Sequence, residues 1–360
     1  MEHKALALID KLDRTHCLST EEYHTLLLGA SDTVRSRLAS LAVRRATEVY
    51  SNRIFVRGLL EVSNICRNGC RYCGISRENR SCDRYRLTPE QIYACAAQGY
   101  ELGFRTFVMQ GGEDGWFTDE RLCRIIRTLK QRFPDCAVTL SLGERSRESY
   151  QRLYDAGADR YLLRHETADR EHYGLLHPED LSFDRRRECL QDLHSIGFQT
   201  GCGFMVGSPG QTLEHIARDL KYIEEFSPEM CGIGPFIPHK DTVFRDHPAG
   251  TVELTCYLLS IIRVMKPNVL LPATTALGSI DPTGREKGIL SGANVVMPNL
   301  SPPEVRDKYM LYNNKLSSGP EAAQNLQDLK DRMAAIGYQV VVDRGDFRSN
   351  EKGDLDHGKI

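Results

Sequence analysis

Three cysteines fall within eight residues of a 360-residue chain, spaced as Cys66-x3-Cys70-x2-Cys73. Three thiolates on one short loop can converge on a metal centre, and Gly69 among them lets the loop fold tightly. A structural zinc wants four protein ligands, usually in paired C-x2-C halves. No fourth Cys or His sits at such a spacing, although Cys82 is near. The better reading is an iron–sulfur cluster with three protein ligands, whose remaining iron stays open to a small molecule. The other nine of the twelve cysteines are isolated, Cys95 and Cys189 among them. Most lie in apolar periodic segments and read as small buried hydrophobes rather than as a disulfide framework.

Composition narrows the function classes. Forty-seven Lys and Arg against 49 Asp and Glu give a net charge of −2, too balanced for a nucleic-acid partner bound through a basic surface. Hydrophobic residues at 41% and charged residues at 27% fit a soluble globular protein. No apolar run approaches the ~18–20 residues needed to span a bilayer. The charged start, with Lys4, Asp10, Lys11, Asp13 and Arg14, lacks the apolar core of a signal peptide, so a cytoplasmic location is expected.

The elements that must position the cysteines follow from periodicity. Residues 1–50 read as a helical preface, with a cap at Ser19-Thr20-Glu21-Glu22 and helical spacing from Ser31 to Tyr50. From residue 51 to 342 short apolar runs alternate with helical stretches. The expected strands are Phe55–Val62, Thr106–Gln110, Ala137–Leu142, Arg160–Arg164, Gln199–Met205, Met230–Gly234, Val269–Ala273 and Asn294–Met297. Eight strands, each followed by a helix, point to parallel pairing by right-handed crossovers and to a (β/α)8 barrel of the TIM type, an α/β fold. An open doubly wound sheet is the runner-up, weakened because no G-x-G-x-x-G follows the first strand. The polar run 343–360 is expected to be disordered.

Nearly every expected strand ends in a polar or glycine-rich run: Cys66–Cys73, Gln110-Gly-Gly-Glu-Asp114, Ser141-Leu-Gly-Glu144, Arg164-His-Glu-Thr167, Val206-Gly-Ser-Pro-Gly210, Gly234–His239, Thr274-Thr275 and Pro298-Asn299. Barrel enzymes build their active sites from these loops, and eight runs in step indicate one shared site.

The C-x3-C-x2-C triplet, with aromatic Tyr72 before its last cysteine and a place after the first barrel strand, resembles the hallmark of the radical S-adenosylmethionine (SAM) superfamily. Over roughly residues 50–340 the runs above, with Met205-Val-Gly207, Pro272-Ala-Thr-Thr-Ala276 and Ala293–Asn299, are most similar to the HydE family of FeFe-hydrogenase maturases. The alternative is a biosynthetic radical SAM enzyme for an organic amino acid, of the methylornithine synthase or biotin synthase kind. Two departures stand out. Gly111 occupies a place often held by serine in the family. The segment Tyr312–Gln324 carries no cysteine for an accessory cluster, so one 4Fe–4S cluster is expected.

The resemblance implies that Cys66, Cys70 and Cys73 hold the cluster and that SAM, chelated to the open iron, is cleaved reductively to a 5′-deoxyadenosyl radical. Tyr72, Gln110, Gly111, Gly112, Thr139, Ser141, Glu166, Arg185 and Met205 would contact SAM. Arg164, Thr274, Thr275, Met297, Tyr309 and Tyr312 would hold the substrate. No general base is assigned, and His165 and His239 read as structural. The implied reaction is a step in assembling the hydrogenase H-cluster from a cysteine-bound iron carbonyl/cyanide precursor. HydG would supply that precursor, the scaffold HydF would receive the product, and an external donor would give one electron.

Overall fold

The computed structural model describes residues 1–316 and 322–349. Its centre is a ring of parallel strands. β1 (Arg53–Val56) and β2 (Gly58–Ser63) form one run interrupted at Arg57, and β2 is buried along its whole length, as a parallel strand covered on both faces should be. β3 (Thr106–Gly111), β4 (Ala137–Ser141), β5 (Arg160–Leu162), β6 (Gln199–Cys202), β7 (Met205–Val206), β8 (Met230–Cys231), β9 (Gly234–Pro235), β10 (Val295–Val296) and β11 (Gln339–Val341) follow. The main sheet runs β2-β3-β4-β5-β6-β8. Single parallel bridges, Met230 to Leu270, Pro272 to Val295 and Asn299 to Leu59, carry the ring through 269–273 and β10 back to β2. The expected strand Val269–Ala273 is therefore present only as bridges, because Pro272 has no N–H to give a ladder.

Two other expected strands are each split. Gly203 separates β6 from β7 and Gly232 separates β8 from β9. A Cβ on Gly203 would lie 2.0 Å from the Gly232 carbonyl oxygen, so the two strands cross too closely there for any other residue. The splits leave the upper pieces, β7 and β9, paired with each other and facing the open end of the barrel.

Helices surround the ring, and most begin on a Ser or Thr whose side chain accepts an N–H of the first turn: Thr88, Thr118, Ser146, Ser182, Thr212 and Thr251. These caps end the strand-to-helix loops and fix how far each loop reaches over the barrel. The first three helices, Glu2–Thr15, Thr20–Leu28 and Asp32–Tyr50, share one continuous apolar core with the barrel helices. Ser19 and Glu22 form a reciprocal capping box. Tyr23 donates to Glu224 at 2.7 Å and Tyr257 to the Leu26 carbonyl at 2.9 Å. Among the described residues no helix is long and apolar enough to cross a membrane.

The expectation of disorder from Asp343 fails for 343–349; the remainder of that segment, 350–360, lies outside the described residues. Residues 343–349 cross the amino end of the barrel, where β3, β5 and β6 begin. Arg160, fully buried, donates to Asp346 at 2.6 Å and to the Arg344 carbonyl at 2.9 Å. Arg344 pairs with Asp159 at 2.9 Å and with Asp346 at 2.8 Å, and Phe347 N–H reaches Gln199 at 3.2 Å. The segment is polar because its partners are the charged starts of the strands.

Burial alone would raise the Asp346 carboxyl, but Arg160 and Arg344 outweigh it and hold it down at about 2. Removing one partner of a fully buried pair costs about 3–5 kcal/mol; because Asp346 is 39% exposed, Asp346→Asn should cost roughly 1–3 kcal/mol at neutral pH. A depressed carboxyl stabilises above its unfolded pKa and loses that contribution as pH falls through its folded one. The unfolding free energies of the wild-type and variant apoproteins should therefore converge as pH falls from about 4 to 2. Denaturant titrations at pH 7, 5 and 3 measure this, and equal stabilities at pH 7 would refute it.

Candidate active site

The cysteine loop leaves β2 and is clamped from several directions before any ligand is considered. Arg84 donates to the carbonyls of Asn64, Ile75, Ser76 and Asn79 at 2.5–3.0 Å, so one guanidinium ties both ends of the loop. Asp114, just beyond β3, receives Arg86 through two bonds of 2.6 and 2.7 Å and Ser63 at 2.8 Å. Gly112 N–H donates to the Ser63 carbonyl at 3.0 Å and Arg67 N–H to the Glu113 carbonyl at 3.1 Å. The backbone N–H groups of Asn68 and Glu113 point at Cys66 Sγ at 3.4 and 3.3 Å.

All three thiols are free and partly buried. Burial pushes the Cys66 thiol up and Cys73 up to about 12; Cys70 is raised further, by burial first and then by Cys73. Such a set becomes thiolate only beside a positive centre. Among the described residues no three Cys, His, Asp or Glu side chains converge as one metal ion would need. Cys82, the nearest further cysteine, instead accepts from Asn64 Nδ2 at 3.5 Å. A zinc site thus lacks both a fourth ligand and a common point. A multi-iron cluster offers each thiolate its own iron, and the two N–H groups at Cys66 match its need for hydrogen bonds to sulfur. The donor set fits a cluster.

Beside the loop, at the carboxyl ends of the strands, lies a cavity of about 340 Å³. Its wall brings together Cys66, Cys73 and Tyr72 with Gln110, Gly111, Gly112, Ser141, Glu166 and Met205, and also Arg164, Thr274, Thr275, Met297, Tyr309 and Tyr312. Two expected SAM contacts, and Cys70 of the three expected cluster ligands, are missing from it. Thr139 shares the inward face of β4 with Ser141 but lies one layer deeper, with its buried hydroxyl unpartnered. Arg185 is held on the rim by Glu188 at 2.7 Å and the Arg145 carbonyl at 2.6 Å. The next residue along the helix Phe183–Ile196, Arg186, points inward, lines the cavity and pairs with Glu144 at 2.5 Å. One residue is a 100° turn on a helix, and the register of the first turn is not visible in a string of three arginines.

Arg164 and Glu166 carry the polar character of the wall. Their side chains meet at 3.3 Å, yet Arg164 Nε and Nη2 and Glu166 Oε2 make no hydrogen bond, nor does Thr274 Oγ1. Buried polar atoms are normally satisfied, so these are groups waiting for a ligand. β5 ends at Leu162, and strand alternation does not aim Glu166. It is aimed by a left-handed backbone, φ 64°, locked by its N–H to the Gly203 carbonyl at 3.0 Å; strain of that kind gathers at functional sites. His165 accepts the Gly203 N–H on Nδ1 at 3.2 Å, so its Nε2 proton goes to Asp219, 3.3 Å away. Burial pushes His165 down to about 3. His239 accepts from the Asp241 N–H at 3.1 Å. Both histidines are occupied structurally, as expected. The sequence reading missed Lys315, which lines the cavity from the segment that follows β10.

A Cβ on Gly112 would lie 2.3 Å from the Ile65 carbonyl oxygen and 2.7 Å from Cys66 Cβ, displacing the cysteine loop. Gly112→Ala should lower iron incorporation on reconstitution several-fold, of the order expected when a packed backbone must shift. Gly115→Ala, where nothing lies within 4 Å, should incorporate iron normally. Equal iron content in the two variants would show that Gly112 does not set the shape of the cysteine loop.

Comparisons with known proteins bear on the family and the fold. The family model of the radical SAM superfamily matches residues 60–223. The chain is 41% identical over 310 residues to the FeFe hydrogenase maturase subunit HydE of Thermotoga maritima, covering 86% of this chain and 88% of that one. It is 26% identical to 3-methylornithine synthase of Methanosarcina barkeri over 92% of this chain and 93% of the relative. The crystal structure of methylornithine synthase (PylB) superposes with a TM-score of 0.81 at 24% identity, over 93% of this chain and 97% of that one. That of the maturase HydG gives 0.76 at 21% over 94% and 76%, and both share the fold. A cysteine loop, a closed parallel barrel and an identity of this extent lead to one assignment: the chain is a radical SAM enzyme and belongs to the family of the FeFe-hydrogenase maturase HydE.

Proposed function

We propose that this enzyme cleaves SAM reductively during maturation of the FeFe-hydrogenase active-site cluster, acting on a cysteine-bound iron carbonyl/cyanide complex. The observation that carries the reading is the 41% identity to HydE over most of both chains. The unspent Arg164 and Thr274 groups in the cavity supply its chemistry. Cys66, Cys70 and Cys73 would hold one 4Fe–4S cluster. When bound, the cluster and SAM supply one-electron cleavage of the sulfonium to methionine and a 5′-deoxyadenosyl radical. The chain's own work is binding, orientation and exclusion of water. Glu166 takes the ammonium or ribose hydroxyls of SAM, beside Tyr72, Gln110, Gly111, Gly112, Ser141 and Met205. Arg164, with Thr274 and Thr275, takes the substrate's amino-acid carboxylate through a forked guanidinium. Met297, Tyr309 and Tyr312 close the remaining space. HydG would provide the substrate, HydF would accept the product, and an external donor would supply the electron.

The organic amino-acid alternative is favoured by the extent of the 3-methylornithine synthase match, and Arg164 would recognise such a carboxylate equally well. Anaerobic SAM-cleavage assays with and without the HydG product separate the two. Stimulation by that product supports the maturase, and stimulation only by a free amino acid supports the alternative.

The reconstituted protein should contain about four irons per chain in a single cluster, read by iron and sulfide analysis with Mössbauer spectra. About eight in well-formed clusters would refute it. Alanine at Cys66, Cys70 or Cys73 should abolish SAM cleavage, whereas alanine at buried Cys95 or Cys189 should not.

Arg164→Ala should leave SAM binding and slow uncoupled cleavage intact but abolish product. Glu166→Ala should weaken SAM about ten- to a hundred-fold, the ~1.5–3 kcal/mol of a charge-assisted bond in a dry site. Equilibrium binding to both variants checks the assignment, and loss of SAM rather than substrate in Arg164→Ala would exchange the two roles.

A further inference from the structure

Residues 302–316 cross the open end of the barrel after the ring is complete. The strap is pinned along its length: Gly74 N–H donates to the Leu311 carbonyl at 2.9 Å, and Asn313 N–H to the Pro238 carbonyl at 3.0 Å. Asn313 Oδ1 accepts from Lys240 N–H at 3.0 Å. Tyr309, Leu311, Tyr312 and Lys315 line the cavity from it. One of its charges is driven down to a barrel strand. Lys315 Nζ reaches Oε1 of Glu61, on β2, at 2.6 Å, with the two side chains only 6% and 0% exposed. Asn299 Nδ2 completes Glu61 on Oε2 at 2.9 Å, and the Tyr309 ring sits 5.4 Å from the ammonium.

The barrel does not need this pair to close, since the ring closes through β10 and the Asn299–Leu59 bridge, both of which precede the strap. An apolar side chain would fill the space at no greater cost in stability, whereas breaking a buried pair from one side is strongly unfavourable. A fastening of this kind is effective in one respect: it is closed or open, with little between.

We propose that Lys315 is a positioning residue. Latched to Glu61, it closes the strap over the cavity and sets Tyr309 and Tyr312 against the bound molecule, so that ligand entry and exit wait on opening the pair. The proposal rests on the functional reading above only for what is exchanged, SAM; the latch itself belongs to the chain.

Glu61→Gln and Lys315→Met each leave one buried group without its partner, and Glu61→Gln/Lys315→Met removes both charges. In the anaerobically reconstituted protein, amide hydrogen exchange of 308–316 should quicken about tenfold in each single variant, while amides of β3 and β4 keep their protection. SAM should associate and dissociate about tenfold faster with Kd changed less than about threefold, because a loosened gate speeds entry and exit alike whereas a lost contact speeds exit alone. The double variant should regain part of the protection, as replacing a buried pair whole is close to neutral. Protection of 308–316 equal to wild type in both single variants overturns the latch, and so does faster SAM dissociation without faster association. Should Lys315→Met fail to fold, Lys315→Gln serves the same comparison. If the wild type binds no SAM while the strap still loosens in the variants, the latch stands and the functional reading falls.

Discussion

The structure turns on one close approach, that of the end of β3 to the cysteine loop. Gly112 has room for no Cβ against Ile65 and Cys66, and that contact brings a row of backbone groups into register. Gly112 N–H meets the Ser63 carbonyl, Glu113 N–H meets Cys66 Sγ, and Asp114 takes Arg86 and Ser63. A loop of three cysteines has no stiffness of its own. It gains it from the neighbouring strand end, from the four carbonyls that Arg84 collects, and from Gly74 packed on Met310 and His239. A loop held this way takes its shape from its surroundings.

The two ends of the barrel treat charge differently. At the amino end Arg160, Arg344, Asp159 and Asp346 satisfy one another, although Arg57 keeps Nε and Nη2 without acceptors. At the carboxyl end Arg164, Glu166 and Thr274 leave donors and acceptors unspent. An end that is only structural can relax until its polar groups are satisfied, whereas an end that binds ligands keeps some of them without a hydrogen bond. The left-handed Glu166 and its lock to Gly203 fix the carboxylate where it meets Arg164 at 3.3 Å without a hydrogen bond.

Features set by near neighbours in sequence were legible, and those set across the chain were not. The cysteine triplet and the Ser19 cap each lie within a few residues, where spacing carries the physics. Arg160 with Asp346 is separated by 186 positions and Lys315 with Glu61 by 254. In the sequence Asp346 is one charge in a polar tail and Lys315 one of many lysines. The splits at Gly203 and Gly232 are legible only once two strands are known to cross. Arg185 and Arg186 differ by a helical register that Ser182 fixes as cap, and three adjacent arginines give no hint of which faces inward.

Unsatisfied groups lower the stability of the empty enzyme, and this links the two ends. Each orphaned donor or acceptor at the mouth is destabilising by about 1–3 kcal/mol unless water or a ligand meets it, on a fold whose net stability is of the order of 5–15 kcal/mol. A mouth built to bind therefore needs compensation elsewhere. The paired floor and the preface helices, which extend the same core outward, provide it without touching the site. The strap stands between these roles. Through Lys315 and Glu61 it adds a buried pair next to the cavity, and through Tyr309 and Tyr312 it adds cavity wall. Ligand binding then completes what the chain leaves open, and it stabilises the closed form because the missing partners arrive with it.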